Sequence, residues 1–407
     1  MRKIFTILLF IPFACQLYAG GYQVSLHGHK QIGMGLIGTS LTMDASSSYY
    51  NPGGLAMIPG KYSFLTGMST IHSHNVFQMQ GSLYEAKTEN PIGTPFYFYG
   101  AGRISDNLVA GIAINTPYGN NLSWEDGWAG RYLIEDIALQ AITVQPTLSY
   151  MINDMISVGA GVVFAMGNVD LTRALPVEDE DGEGSVNISG STTNWGYNAG
   201  LMFKPLPELN IGISYRSKIE MELENADATF DVPNSLQSYF PPDNTVAVSL
   251  PLPANLDFGL SYDISDDLMI GLALNYVFWE AYDTLAFNFE TNTETLEDSE
   301  NPREYSNKLI VRLGGQYKAS ENLYLRLGGY YDPSPANPEY FTPETPSVDN
   351  LGITAGLSYL FMPGLSVDLS FLFIHGIEKE AEYSPENFAG NYKSRAFIPG
   401  LGISYNL

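Results

Sequence analysis

Residues 268–278 read LMIGLALNYVF, and this stretch decides the fold because its apolar side chains alternate along the chain. In an extended strand successive side chains point to opposite faces. One face of this stretch is therefore entirely apolar: Leu268, Ile270, Leu272, Leu274, Tyr276 and Phe278. The other face carries small or polar residues at several positions: Gly271, Ala273 and Asn275. The pattern predicts a β-strand of about ten residues, the length that a tilted strand needs to cross a bilayer.

The same alternation recurs from Tyr62 to the C-terminus, for example in residues 309–317, 323–328, 351–361 and 365–373. Alternation alone does not distinguish a soluble β-sandwich from a membrane β-barrel. In a soluble sandwich the apolar face points to the protein core, whereas in a membrane barrel it points to lipid. The lengths of the connections separate them.

Short connections alternate with long polar ones along the chain. The short ones centre on residues 105–107, 153–154, 205–208, 265–267, 320–322 and 362–364. The long ones cover residues 77–94, 117–136, 174–193, 225–247, 281–307, 332–349 and 376–394. An even number of strands with short turns at one end and long loops at the other is typical of outer-membrane barrels. We therefore predict an all-β fold, a transmembrane antiparallel β-barrel of about 14 strands.

Composition agrees with this prediction. Only 15% of the residues are charged, and Tyr 27 and Phe 21 supply aromatic side chains for the two membrane interfaces. After residue 19 no run of about twenty apolar residues is long enough for a transmembrane helix. The formal net charge of −25 disfavours nucleic acid as a partner, since its phosphates would be repelled.

Residues 1–19 have the pattern of a secretory signal peptide, with Arg2 and Lys3 before an apolar run and Leu17-Tyr18-Ala19 at the expected cleavage site. A lipoprotein anchored at Cys15 is the alternative, although the residues before it fit a lipidation site poorly. Cys15 is the single cysteine, so the secreted chain is expected to form no disulfide.

The segment before the first strand does not alternate. It is too long for a simple lead-in and contains bulky residues to bury, including Tyr49, Tyr50 and Leu55. A barrel of this size leaves an aqueous lumen unless something fills it. We therefore expect three parts: a signal peptide at 1–19, an N-terminal hatch or plug at 20–60, and the barrel at 61–407. A disordered periplasmic tail is the alternative for the second part.

The sequence of residues 44–55, DASSSYYNPGGL, resembles the hatch motif of the FadL/TodX family of outer-membrane transporters of long-chain fatty acids and hydrophobic compounds. Further similar segments are WAGRY at 128–132, WGYNAG at 195–200 and GISYRSK at 212–218. The resemblance implies a hatch or gate formed by Asp44, Asn51, Pro52 and Gly53, where Gly53 replaces the family's usual Ala.

The resemblance also implies diffusive uptake: loops capture a hydrophobic ligand, an inner site beside the hatch receives it, and a lateral opening in the wall releases it. In that family the opening lies at a kink of the third strand. Pro117 and Gly119 are the candidate kink residues here, since proline removes a hydrogen-bond donor and glycine permits a bend. An ordinary strand end is the alternative.

A fatty acid needs an apolar groove and a cation for its carboxylate. Strand parity predicts five basic residues that point into the lumen: Arg173, Arg216, Lys218, Arg312 and Arg326. Arg173 is the first candidate for the carboxylate, and Arg131, in the WAGRY segment, is the second. The alternative for each is pairing with an acidic residue of the lumen.

An apolar cluster in the otherwise polar loop 225–247 is a candidate for ligand capture, because exposed apolar patches mark binding surfaces. Its residues are Phe230, Leu236, Tyr239 and Phe240. Packing against neighbouring loops is the alternative. The acidic run at 178–183 is expected to face solvent and lipopolysaccharide.

Other functions fit less well. An enzyme would need a nucleophile with a base, and His375 has no recognisable partner. A general or substrate-selective porin remains the alternative function, although a general porin would lack a plug motif. We expect no cofactor, no metal site, a monomeric barrel in the bacterial outer membrane, and a ligand that the sequence does not identify.

Overall fold

The computed structural model describes residues 21–179 and 182–407. The expected signal peptide and part of the acidic run at 178–183 lie outside these residues. Within them no helix is long and apolar enough to cross a membrane.

The described chain forms 21 strands in sequence order. Their bounds are β1 Tyr62–Ser69, β2 His72–Met79, β3 Glu85–Lys87, β4 Phe96–Ser105, β5 Leu108–Ser123, β6 Asp136–Asn153, β7 Ile156–Asp179, β8 Gly182–Leu206, β9 Leu209–Arg216, β10 Ile219–Asp231, β11 Asn244–Leu252, β12 Asn255–Ser265, β13 Leu268–Val277, β14 Thr284–Phe289, β15 Ser299–Pro302, β16 Lys308–Ser320, β17 Leu323–Asp332, β18 Asn350–Met362, β19 Leu365–Gly376, β20 Lys379–Tyr383 and β21 Phe388–Asn406.

Two short α-helices, α1 (His29–Gly33) and α2 (Ser47–Tyr50), precede the strands. Short 3₁₀-helices cover Pro52–Met57, Gln237–Tyr239, Trp279–Ala281 and Ser384–Glu386.

Fourteen strands form a closed ring in one antiparallel sheet, which confirms the predicted fold class. In order around the ring they are β1, β4, β5, β6, β7, β8, β9, β12, β13, β16, β17, β18, β19 and β21. The last strand closes the ring on the first, in a register that runs from Ser63 opposite Asn406 to Ser69 opposite Gly400. Closure leaves no free sheet edge, so every strand of the ring has a backbone partner on each side.

The ring turns its apolar faces outward. Leu313, Leu327 and Ile353 are each more than 60% exposed, while Gln145, Ser157 and Asn275 are buried on the inner side. In β13 the alternation is as expected, with Ile270 exposed and Asn275 buried. A soluble sandwich would bury the apolar set, so the orientation identifies lipid as the environment of the outer face.

The long connections contain more strand than the sequence predicted. Residues 174–193 were expected to form a loop, but β7 and β8 continue through most of this segment as a hairpin. Likewise β5 reaches Ser123, beyond the expected loop start at 117. Polar residues such as Ser, Asn and Thr do not interrupt strand pairing above the membrane, where water solvates both faces. Hydrophobic alternation therefore underestimates strand length outside the bilayer.

Candidate functional site

Residues 21–60, here called the plug segment, are largely buried and contact the inner side of the ring through the helix at Pro52–Met57, which packs against β6, β7 and β8. Asn51 organises this contact. Its side-chain amide donates to the carbonyl of Thr39 at 2.8 Å and to that of Leu201, in β8, at 3.0 Å. Its side-chain oxygen accepts from the amide of Gly53 at 3.0 Å and caps the helix, with Pro52 at the first helical position.

Glycines let the plug segment lie directly against the wall. A Cβ atom on Gly53 would come within 2.8 Å of the carbonyl oxygen of Gly200. On the wall side, a Cβ on Gly159 would meet the backbone of Pro52, and one on Gly200 would meet the side chain of Asn51. The glycine at position 53 therefore fits a wall that approaches more closely than a methyl group allows.

A buried ion pair fixes the start of the motif at residues 44–55. Asp44 is fully buried and lies 3.0 Å from the ammonium group of Lys30. The amide and hydroxyl of Ser46 donate to the same carboxylate at 3.1 and 2.5 Å. Lys30 also lies 3.9 Å from Asp368 of β19, so this network ties the plug segment to the ring.

Three of the five basic residues predicted to point inward are buried and bonded. Arg216 donates to the carbonyl of Tyr49 at 3.0 Å, and Arg312 donates to the carbonyl of Leu36 at 3.1 Å. Arg326 donates to Ser358 at 2.6 Å. Arg216 and Arg312 thus position the plug segment rather than stand free for a ligand.

Lys218 does not point into the lumen, contrary to its parity. It is 51% exposed and pairs with Glu220 at 2.7 Å. The strand breaks between β9 and β10 at residues 217–218, and the break changes the direction of the side chain. Parity is valid only within an uninterrupted strand.

An apolar cavity of about 80 Å³ lies between the plug segment and the extracellular half of the ring. Its lining includes Tyr22, Leu139, Leu171, Met221, Leu250 and Leu285. Tyr22 donates to the carbonyl of Pro251 and packs edge-on against Trp279, with ring centroids 5.0 Å apart. Nothing in the local sequence around Tyr22 and Trp279 indicates that a plug residue meets a distant loop, so neither residue is predicted from the sequence.

The charge near this cavity is already balanced. Glu344 lines it, and Arg303 donates to Glu344 at 2.6 and 3.1 Å in a pair that is 4% and 10% exposed. Within the described residues, no Lys or Arg lines the cavity. The described lining therefore offers apolar surface and no basic side chain.

The candidate kink residues, Pro117 and Gly119, lie just beyond the point where β5 stops pairing with β4. Pairing with β4 ends at Tyr97 opposite Asn115, and the register with β6 shifts between Asn115 and Tyr118. Beyond this point the plug segment supplies the partner: Val24 donates to the carbonyl of Pro117 at 2.8 Å, and Gly119 donates to that of Tyr22 at 3.0 Å.

A second cavity of about 260 Å³ opens beside this kink, between β5 and the segments at 71–75 and 90–95. Gly119 lines it, and Pro117 lies between its lining residues Thr116 and Tyr118. The two cavities share Tyr118, Asn120, Leu139, Gln140 and Thr345. They are therefore adjacent.

The other candidate residues lie farther out. Arg131 pairs with Glu183 at 2.9 Å, stacks on Tyr132 and lines neither cavity. Arg173 lies on the same face of β7 as Leu171, one alternation above the apolar cavity. Burial lowers the pKa of Arg173, and the negative charges of Glu344 and Glu386 oppose this shift.

In the loop cluster Phe230 and Phe240 pack together with ring centroids 5.4 Å apart, and Phe240 is only 4% exposed. Leu236 is half-buried, and Tyr239 is 40% exposed. The aromatic pair is thus largely occupied by packing within the loops, while Leu236 and Tyr239 retain accessible surface.

A lipid-facing barrel with a buried N-terminal segment and an apolar cavity defines an outer-membrane transport channel. The chain belongs to the family of outer membrane protein transport proteins (OMPP1/FadL/TodX), whose model matches residues 11–407. It is 24% identical over 383 residues to outer membrane protein P1 of Haemophilus influenzae, covering 84% of this chain and 82% of that protein. It is 20% identical over 431 residues to a long-chain fatty acid transport protein of Escherichia coli, covering 96% and 95%.

Solved structures share the fold. A Pseudomonas aeruginosa FadL homologue matches with a TM-score of 0.83 at 19% identity, covering 95% of this chain and 100% of that one. The Pseudomonas putida toluene transporter TodX matches with a TM-score of 0.74 at 17% identity, covering 97% and 100%. The predicted family, the outer-membrane location and the assignment as a transporter rather than an enzyme are confirmed.

Proposed function

We propose that this protein takes up long-chain fatty acids or other hydrophobic small molecules by diffusion through a path that leaves the barrel sideways. The adjacency of the two cavities supports this proposal most directly. The cavity lined by Leu139 and Leu250 shares five lining residues with the cavity beside Gly119, so an apolar molecule in the first lies next to the second.

A sideways path is favoured because straight passage through the barrel would be energetically unfavourable for an apolar ligand. Straight passage to the periplasm would take the ligand past buried polar groups such as Asn51 and the Lys30–Asp44 pair. An apolar molecule would make no favourable contacts with these polar groups, and its passage would separate Lys30 from Asp44. A path at the kink of β5 leads it to the membrane instead.

The hatch residues Asp44, Asn51, Pro52 and Gly53 hold the plug segment in place in this proposal, and Tyr22 to Val24 form the movable side of the kink. Withdrawal of these three residues from β5 would break two backbone hydrogen bonds and enlarge the opening beside Pro117 and Gly119. The ring closes on its own first and last strands, so one chain suffices for the path.

Uptake of labelled oleate and labelled toluene by a host that lacks its own transporter tests the proposal. Leu139→Trp places an indole in the space that both cavities share and is expected to reduce uptake several-fold. Ala138→Trp, on the exposed outer face of the same strand, is the matched control. Equal uptake by wild type, Leu139→Trp and cells without the protein would refute the proposal.

A further inference from the structure

The wall of the barrel has a second discontinuity, between β8 and the strand pair β9–β10. On this side of β8 the ladder with β9 runs as far as Asn198 opposite Arg216, and one further backbone bond joins Ser217 to the carbonyl of Tyr197 at 2.9 Å. It resumes with β10 only at Ser189 opposite Asp227. Between these two positions, β8 keeps its full register with β7 but has no ladder on its other side.

Side chains bridge the gap in place of backbone pairing. Asn194 donates to the carbonyl of Glu220 at 2.7 Å, and Thr192 donates to that of Glu222 at 2.6 Å. Such bonds span a wider separation than a backbone ladder, and rotation of one side chain breaks each of them. The space beside them is an open cavity of about 380 Å³, here called the β8–β10 window.

The height of the window follows from the outer faces of the neighbouring strands. Trp195 is 65% exposed and pairs with Phe164 of β7, which is 52% exposed. The next outward pair is Met166 with Thr193, and above it the outward residues Asn168 and Ser191 are polar. Aromatic residues at such a boundary mark the membrane interface. The window therefore begins at the level of the outer-leaflet head groups.

The window leads into the apolar cavity. Thr192 and Leu223 line both spaces. The two spaces therefore adjoin at these residues, and the lining beyond them is apolar, for example Met221 and Leu250.

The acidic residues that line the window favour uncharged molecules over anions. The window carries Glu222 and Glu224, the cavity carries Glu344, and among the described residues no Lys or Arg lines either. Glu344 is neutralised by Arg303, but the described lining of the window holds no basic residue beside Glu222 and Glu224. A carboxylate that enters through the window would therefore be repelled and would lose its hydration without compensation. An uncharged hydrophobic molecule has neither cost.

We infer that the β8–β10 window is a second lateral passage, through which uncharged hydrophobic molecules enter the apolar cavity from the outer leaflet. This inference rests on the proposed transport function and adds an entry route and a ligand class to it. The kink at β5 is then the route onward, so that the cavity has an entrance and an exit on different sides of the barrel.

A reversible cross-link tests the passage. Thr193→Cys with Glu222→Cys places two thiols on opposite sides of the window, and Cys15 is the single cysteine of the natural sequence. A short thiol-reactive cross-linker with a reducible spacer is expected to lower uptake of labelled toluene several-fold, and reduction of the spacer is expected to restore it. Asp170→Cys with Ser189→Cys is the matched control, since these residues are already paired across β7 and β8.

Toluene uptake that stays unchanged on complete cross-linking would overturn the passage, provided that the Leu139→Trp variant loses uptake in the same host strain. Wild-type cells that take up no labelled compound would instead overturn the proposed function. If the first cysteine pair prevents insertion, Ser191→Cys with Glu224→Cys closes the same window. A loss of oleate uptake equal to that of toluene would contradict the assignment to uncharged molecules.

Discussion

The side-chain amide of Asn51 donates a hydrogen bond to the backbone carbonyl of Leu201, so a plug residue is bound to a strand of the wall 150 positions away in sequence. The same side chain bonds Thr39 and caps the helix at Pro52–Met57. One residue therefore joins two parts of the plug segment to the barrel. Asn51 thus fixes the position of the hatch motif relative to the wall.

Replacement of Asn51 by Ala is expected to loosen the plug segment. Each buried group left unpaired costs roughly 1–3 kcal/mol. Amide hydrogen exchange in residues 44–57 should become faster, and the cells should become more permeable to small polar antibiotics. Ser40→Ala is the control, because the buried Ser40 hydroxyl has no hydrogen-bond partner among the described residues. Equal protection in both variants would contradict the role of Asn51.

Gly53→Ala is expected to destabilise the protein. The new methyl group would overlap the backbone of Gly200 and Met202 at 2.8 Å, and overpacking of this kind costs about 1–3 kcal/mol. Gly54→Ala is the matched control, because its methyl group meets only the flexible end of Met202 at 3.0 Å. Thermal unfolding of the two purified variants should therefore differ, and equal midpoints would count against the close packing.

The ion pair of Arg303 and Glu344 allows a double-mutant test of the loops above the cavity. Arg303→Met leaves a buried carboxylate without its partner and is expected to cost about 3–5 kcal/mol in local stability. Arg303→Met combined with Glu344→Leu should recover most of this loss, since both charges are then absent. Amide exchange in residues 335–349 measures the effect. Additive losses in the double variant would refute a buried pair.

Lys379 lies in β20, in the extracellular connection between β19 and β21, and packs over the ring of Phe341 at 5.1 Å. Burial lowers its pKa to about 8, with Asp349 opposing this shift and Lys308 adding to it. An amine with a lowered pKa loses its proton, and so becomes nucleophilic, at lower pH. Its reactivity towards an acylating reagent should rise with a midpoint near pH 8 in peptide mass spectrometry.

Lys87 is the internal reference for this titration. Its hydrogen bond to Glu85 raises its pKa, so its reactivity should rise only at higher pH. Profiles that coincide for the two lysines would show that Lys379 is not buried as described.

The sequence predicted the barrel because alternation reports which face a residue occupies, and β13 shows it directly with Ile270 outside and Asn275 inside. The contiguous motif at residues 44–55 predicts a hatch, which stays a prediction, and most of these residues are buried. The sequence did not predict that Arg216 and Arg312 bind the plug segment, since parity gives neither the height of a residue nor its partner. The β8–β10 window was missed for a similar reason: a break in pairing depends on two strands, and neither strand alone has an interrupted pattern.

The most direct test of the central claim is the position of a bound ligand. Crystals of the protein soaked with bromobenzene, or grown with a bromine-labelled fatty acid, give anomalous scattering from the bromine. The account predicts a bromine peak within the cavity lined by Leu139, Met221 and Leu250, inside the ring. Peaks confined to the loop tips around Tyr239, with none inside the ring at saturating ligand, would contradict it.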